Sequence, residues 1–207
     1  MKQHIFTLLS ILLFTHAGIA QSTGTFTDSR DGQTYKTISI ENTMTGNTAI
    51  WMAQNLNYKV QDSYAYDDNE SNRKEFGLLY TWEAATKACA DKWHLATDSE
   101  WSMLVSQFGG VDKAGEALKS IIGWNEDGNG TNSSGFNALP AGIRKDDYYY
   151  NLLGYFGFWW SSTPTGEEGK AWFRDITYGG PTMGIKTKIF RFEGNGISGM
   201  SVRCVQD

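Results

Sequence analysis

The sequence is short of three residue types that would each open a particular chemistry. Of 207 residues, two are cysteine, three histidine and three proline. His4 and His16 fall in an N-terminal segment that reads as removable, which leaves His94 alone. A Ser-His-Asp triad or Cys-His dyad could therefore use only His94, and a multi-histidine zinc site cannot be built. Basic residues are also in deficit, 18 Lys and Arg against 23 Asp and Glu, for a net charge of −5. That excludes a strongly basic nucleic-acid binder. After the N-terminal segment no run approaches the ~20 apolar residues of a membrane span. No Pro- or Ser-rich seam and no repeat of fixed period divides the chain beyond Asp28, so residues 28–207 read as one domain.

What the chain has in excess is glycine, 23 residues, and aromatics, at 14% with eight tryptophans. Glycine above the usual ~7% points to a loop-rich fold and not to a helical bundle. Residues 1–20 carry Lys2, the apolar run Ile5–Phe14 and small residues at Gly18 and Ala20. This is the pattern of a secretory signal peptide cut before Gln21. Residues 21–27 are small and polar and read as a linker. The expectation is an exported, soluble protein, secreted, periplasmic or on a bacterial cell surface, with no nucleic-acid partner and no membrane span.

Cys89 and Cys204 lie 115 positions apart. In an oxidising compartment two lone cysteines most often pair, and a structural bridge is the expectation. A reactive thiol and a metal-ligand pair are the competing readings.

Alternation of polar and β-branched residues predicts strands at Tyr35–Ile40 and Thr48–Met52, joined by the turn Asn42–Asn47 into a hairpin. After a polar stretch from Gln61 to Lys74, the spacing of Trp82, Ala85 and Cys89 predicts a helix. Thr97 and Glu100 form a capping box ahead of Trp101, Leu104, Val105 and Phe108. A third short helix follows from Ala114, Ala117, Leu118 and Ile121. Strands are predicted at Phe158–Ser161, Ala171–Ile176, Lys188–Phe192 and Met200–Val205, the last with Met200, Val202 and Cys204 on one face. This order predicts an α+β fold: an N-terminal β-hairpin, two to three helices and loop-rich small antiparallel sheets.

The runs DSRDGQTYKTISI (Asp28–Ile40), WMAQNLNY (Trp51–Tyr58) and FGLLYTWEAA (Phe76–Ala85) resemble the Fibrobacter succinogenes major paralogous domain family. So do CADKWHLATDSEW (Cys89–Trp101), GTNSSGFNALPAG (Gly130–Gly142), FWWSST (Phe158–Thr163) and SVRCV (Ser201–Val205). One departure stands out: Ala90, Lys92 and Ala96 replace the Pro, Gly and Pro of the family's usual CP-x-GWHLP. The family is similar, more distantly, to the C-type-lectin-like and formylglycine-generating-enzyme folds. That resemblance implies a C-type-lectin-like domain, a resemblance of fold that does not confer function.

Formylglycine-type oxidation would need reactive cysteines, and both are assigned to the expected bridge. A paired-carboxylate glycosidase would need two facing acids, and no spacing singles out a pair. For His94 the expectation is a buried imidazole bonded to backbone. Glycan binding is the sharper reading, because sugar sites combine aromatic faces with amides and carboxylates. Its candidates are Tyr148, Tyr149 and Tyr150 with Asp146 and Asp147, together with Trp159, Trp160 and Trp172. A calcium loop is open at Asp127, Asn129, Thr131 and Asn132, and Asp62, Asp67, Asp68 and Glu70 form an acidic cluster. The C-type lectin sugar signatures Glu-Pro-Asn and Trp-Asn-Asp are absent. The expected function is non-catalytic binding of a glycan or a surface protein. The alternatives are an adhesive component that binds protein only and a polysaccharide-acting enzyme.

Overall fold

The computed structural model describes residues 22–43, 45–180 and 185–207. The expected signal peptide lies outside them. The chain begins with β1 (Thr23–Thr27), β2 (Thr34–Glu41) and β3 (Thr48–Met52). These pair antiparallel in sequence order, and β2–β3 is the expected hairpin. The linker reading of 21–27 is corrected by β1. Its alternate threonines suit a pleated edge, and Phe26 packs on Trp93 with ring centroids 4.7 Å apart.

The polar stretch from Gln61 to Lys74 is also more structured than expected. It contains β4 (Ser63–Tyr64), a 3₁₀ turn at Tyr66–Asp68 and most of α1 (Glu70–Phe76). Asn69 caps this helix by accepting from the Ser71 N–H, and Phe76 is its buried residue. Then come β5 (Leu79–Tyr80), α2 (Trp82–Ala88), β6 (Trp93–Leu95) and α3 (Asp98–Gln107). The capping box forms as expected: Thr97 Oγ1 accepts from the Glu100 N–H, and Glu100 Oε2 accepts from the Thr97 N–H.

α4 (Ala114–Leu118) ends a turn earlier than the apolar spacing predicts. Lys119 leaves the helix in an extended conformation and forms a parallel bridge with Ala138, so Ile121 is exposed and not core. The rest of the chain is strand and loop: β7 (Ile143–Arg144), β8 (Tyr150–Asn151), β9 (Phe156–Pro164), β10 (Lys170–Thr177), β11 (Ile189–Asn195) and β12 (Cys204–Gln206).

β12 inserts between β3 and β6, giving a five-stranded sheet of order β1-β2-β3-β12-β6. A three-stranded antiparallel sheet β11-β10-β9 and two small pairs, β4-β5 and β7-β8, complete the α+β architecture. The expected strand Met200–Val205 is regular only at its end. Met200 and Ser201 make isolated bridges to Tyr80 and Trp159, and both faces are buried.

Among the described residues the core falls into three clusters, a small one of Tyr66, Phe76, Leu79 and Ala141 and two larger, aromatic-rich ones. Met200, Val202 and Cys204 share one with Tyr80, Trp93 and Trp160. The other centres on Trp51, Trp101, Phe136 and Trp159, whose edge-on and tilted rings lie 5.2–6.4 Å apart.

Candidate functional site

β7 and β8 form a short hairpin whose tip, residues 145–149, carries most of the predicted ligand residues. Its base is fixed by Gly142, with φ +66°, where an added Cβ would meet Asn151 O at 2.5 Å. Arg144 exchanges backbone hydrogen bonds with Gly199, which pins the hairpin to the segment before β12. The Asp147 carboxylate accepts from the Tyr149 N–H and tightens the tip. Tyr148 takes a left-handed backbone conformation, φ 68°, uncommon for a bulky residue, and its ring lies against Arg144.

The Arg144 guanidinium carbon lies 3.8 Å from the centroid of Tyr64, 4.6 Å from Tyr148 and 5.9 Å from Tyr150. Its Nη1 is buried without a hydrogen-bond partner. Beside this stack opens a groove of about 600 Å³. Tyr64, Arg144 and Tyr148 line one part of it; Asp62, Thr81, Trp82 and Glu83 line another; Asn195 and Ile197 close it. Tyr64 donates to Asp62 Oδ1 at 3.1 Å, and Asn195 Nδ2 donates to Asp146 Oδ2 at 3.3 Å. Trp82 is held by its Nε1–H bond to Ser161 O, and Ile197 is half exposed.

The predicted residues divide by place. Tyr148 lines the groove and Asp146 braces its wall. Tyr149 is exposed but outside the lining. Tyr150 is a strut: its hydroxyl donates to Asp68 Oδ1 and its ring packs on Tyr66. Burial first, then that bond to the carboxylate, push the Tyr150 phenol up to about 12. Trp160 is corrected. It is wholly buried and donates to Tyr80 O, so it can touch no ligand, and Trp159 is equally buried. Trp172 lies beneath the Arg191 guanidinium at 3.3 Å.

A second cleft of about 410 Å³ near Gln33 and Arg73 is polar but satisfied. There Asn57 donates to Gln33 Oε1 and Arg73 Nε donates to Asn57 Oδ1.

The model of the Fibrobacter succinogenes major domain matches residues 43–206. The chain belongs to the Fibrobacter succinogenes major domain family. No curated protein and no solved structure matches it. The matched span of the family domain starts after β2, yet β1 and β2 extend the same sheet as β3 and β12.

Within the family domain Cys89 and Cys204 form a disulfide, and no free cysteine remains among the described residues. The loop read as open to calcium is braced by its own oxygens. Asn129 Oδ1 accepts from the Trp124 N–H, Asn132 Oδ1 from the Asn137 N–H, and Thr131 Oγ1 donates to Glu116 O. Asp127 is exposed. In the acidic cluster, Asp62 is bonded to Tyr64, Asp68 to Tyr150 and Glu70 to Arg73. Among the described residues no group of three or more His, Cys, Asp or Glu is placed to hold a metal ion. No described helix is long and apolar enough to cross a membrane.

The expectation for His94 is corrected as well. It is partly exposed and bridges two carboxylates, with Nδ1 2.6 Å from Asp207 Oδ1 and Nε2 2.9 Å from Glu100 Oε1. Burial works against its charge, but the hydrogen bonds to Asp207 and Glu100 outweigh it and raise the imidazole pKa above 6.5. The folded state therefore holds this proton more tightly than the unfolded chain. The resulting stability is full below pH 6.5 and is lost as pH rises through the raised value. We expect the urea midpoint to fall between about pH 6 and pH 8, with that slope flattened in His94→Gln. An unchanged slope in the variant would assign the dependence to another group.

Proposed function

We propose that this family domain is an exported, non-catalytic glycan-binding module, and that the groove between the β7–β8 hairpin and the N-terminus of α2 is its binding site. The observation that carries this reading is the pairing of an exposed tyrosine face, Tyr148, with a row of polar groups in one concavity. Apolar C–H faces of a pyranose stack on such a ring, and its hydroxyls bond to amides and carboxylates such as Asn195 and Asp62. The groove's acids are each steadied by one donor and keep lone pairs for sugar hydroxyls: Asp62 is held by the Tyr64 hydroxyl, Glu83 by Lys87 and Asp146 by Asn195. A C-type-lectin-like kinship belongs to this reading. The long bridge from the end of the α2 helix to the last strand supports it. Export is supported by the N-terminal sequence and by that same bridge. A bacterial cell surface, the periplasm and the medium all suit it.

Glycan arrays probed with the wild-type protein test the reading. Tyr148→Ala is expected to lower affinity about tenfold, the effect of losing one well-placed aromatic contact. Tyr149→Ala, outside the groove, leaves affinity unchanged, and so does a calcium chelator. Loss of binding in Tyr149→Ala alone would move the site to the outer face of the hairpin. Binding abolished by chelator would establish calcium in the site.

A further inference from the structure

Arg144 is at odds with the rest of the groove. Among the described residues each groove carboxylate has a donor, whereas the guanidinium has aromatic neighbours and no ion-pair partner. Nη1 is buried with no acceptor, at the cost of its lost hydration. A guanidinium placed this way offers a planar fork of donors whose natural complement is a carboxylate, bound by two parallel hydrogen bonds. The tyrosine rings hold that fork at a fixed orientation without neutralising it. A neutral sugar would leave the cation unpaired in a partly desolvated site.

We propose that the groove recognises carboxylated sugars, with the Arg144 fork on the carboxylate and Tyr148 on the ring face of the same residue. This rests on the glycan-binding reading above and specifies its ligand class. The neighbouring carboxylates do not oppose it: held by Tyr64 and Asn195, they accept from hydroxyls elsewhere on the sugar. Nη1 is closed to solvent, so the ligand carboxylate meets the accessible part of the guanidinium and supplies the charge partner that no described residue gives Arg144.

The test is direct binding by calorimetry. The probes are oligogalacturonate, alginate oligomers, hyaluronan oligomers and sialyl-oligosaccharides, each beside its carboxyl-reduced counterpart. At least one acidic probe is expected to bind, and its reduced counterpart to bind about tenfold or more weakly, the loss of one charge-assisted contact. Arg144→Gln removes that preference, and Arg144→Lys restores only part of it because a point charge replaces the fork. Should Arg144→Gln fail to fold, the matched probes on the wild-type protein still decide, and Tyr148→Ala must weaken the same acidic ligand. Equal binding of acidic and reduced partners, or binding of neutral glycans alone, overturns the carboxylate inference and leaves the glycan reading standing. Failure of every glycan, acidic and neutral, overturns both.

Discussion

Replacing Arg203 by methionine is expected to lower the unfolding free energy by about 3–5 kcal/mol, or to prevent folding altogether. Arg203 is wholly buried and has no carboxylate partner among the described residues. Its Nε donates to Asn55 Oδ1, Nη1 to the carbonyls of Met52 and Phe136, and Nη2 to the carbonyl of Asn137, all within 2.8–3.0 Å. The guanidinium carbon also lies 4.2 Å from the Phe136 centroid. Burial pulls its pKa down to about 9, so it is still charged at neutral pH. One side chain thus ties the end of β3, the loop before β7 and the approach to β12.

Methionine fills much of the volume, but it strands three carbonyls and half of the Asn55 oxygen's bonding. Asn55 Oδ1 keeps only the Trp159 Nε1–H, at 2.9 Å. Exchanging a complete buried polar network for apolar groups can be neutral, whereas deleting one member leaves its partners desolvated and unpaired. Guanidinium-induced unfolding of the two proteins decides the matter. A loss below about 1 kcal/mol would mean that water replaces the guanidinium and that Arg203 does not knit the core.

Some of this architecture was legible because its determinants are close together in sequence. The Thr97–Glu100 box that starts α3 is complete within four residues, and the β2–β3 hairpin is written in alternation on both sides of a short turn. α1 was missed because only Phe76 on it is buried, so it has no apolar stripe to display. β1 was missed because an edge strand of threonines has the composition of a linker.

The candidate site was half legible. The aromatic hairpin tip is contiguous, so the sequence points to Tyr148 and Asp146, which stand at the groove, and Arg144 next to them is a local signal of the same kind. Tyr64 meets Arg144 across 80 positions, and the His94–Asp207 contact spans 113, distances at which residue type alone implies no partner. Arg203 shows the same limit in the core. Nothing local separates a buried, fully bonded arginine from a solvated one, and the tryptophans 159 and 160 mislead in the opposite direction, because an aromatic pair in a strand looks the same whether it faces sugar or core.

Removing the Cys89–Cys204 bridge as Cys89→Ala/Cys204→Ala is expected to cost about 3–5 kcal/mol by guanidinium unfolding. The bond closes a loop of 115 residues, and chain entropy makes such a long loop expensive to leave open in the unfolded state. Its placement adds to this. β12 enters a sheet whose other strands all precede it by more than a hundred residues, between β3 and β6, so the strand that completes the sheet depends on contacts of very high sequence separation. The bridge holds β12 beside the end of α2 in the unfolded chain, so their encounter no longer needs the long loop to close.

Alanine is the informative substitution, because Cys204 is fully buried and a serine there would add an unpaired hydroxyl to the core. The double variant is also expected to retain glycan affinity once folded, since neither cysteine lines the groove. A stability loss under about 1 kcal/mol would show that the unfolded chain is already compact around this pair, with the long loop largely closed before the bond forms. A loss of affinity in the folded variant would instead show that the bridge positions α2, whose N-cap Thr81 and first residue Trp82 line the groove with Arg144.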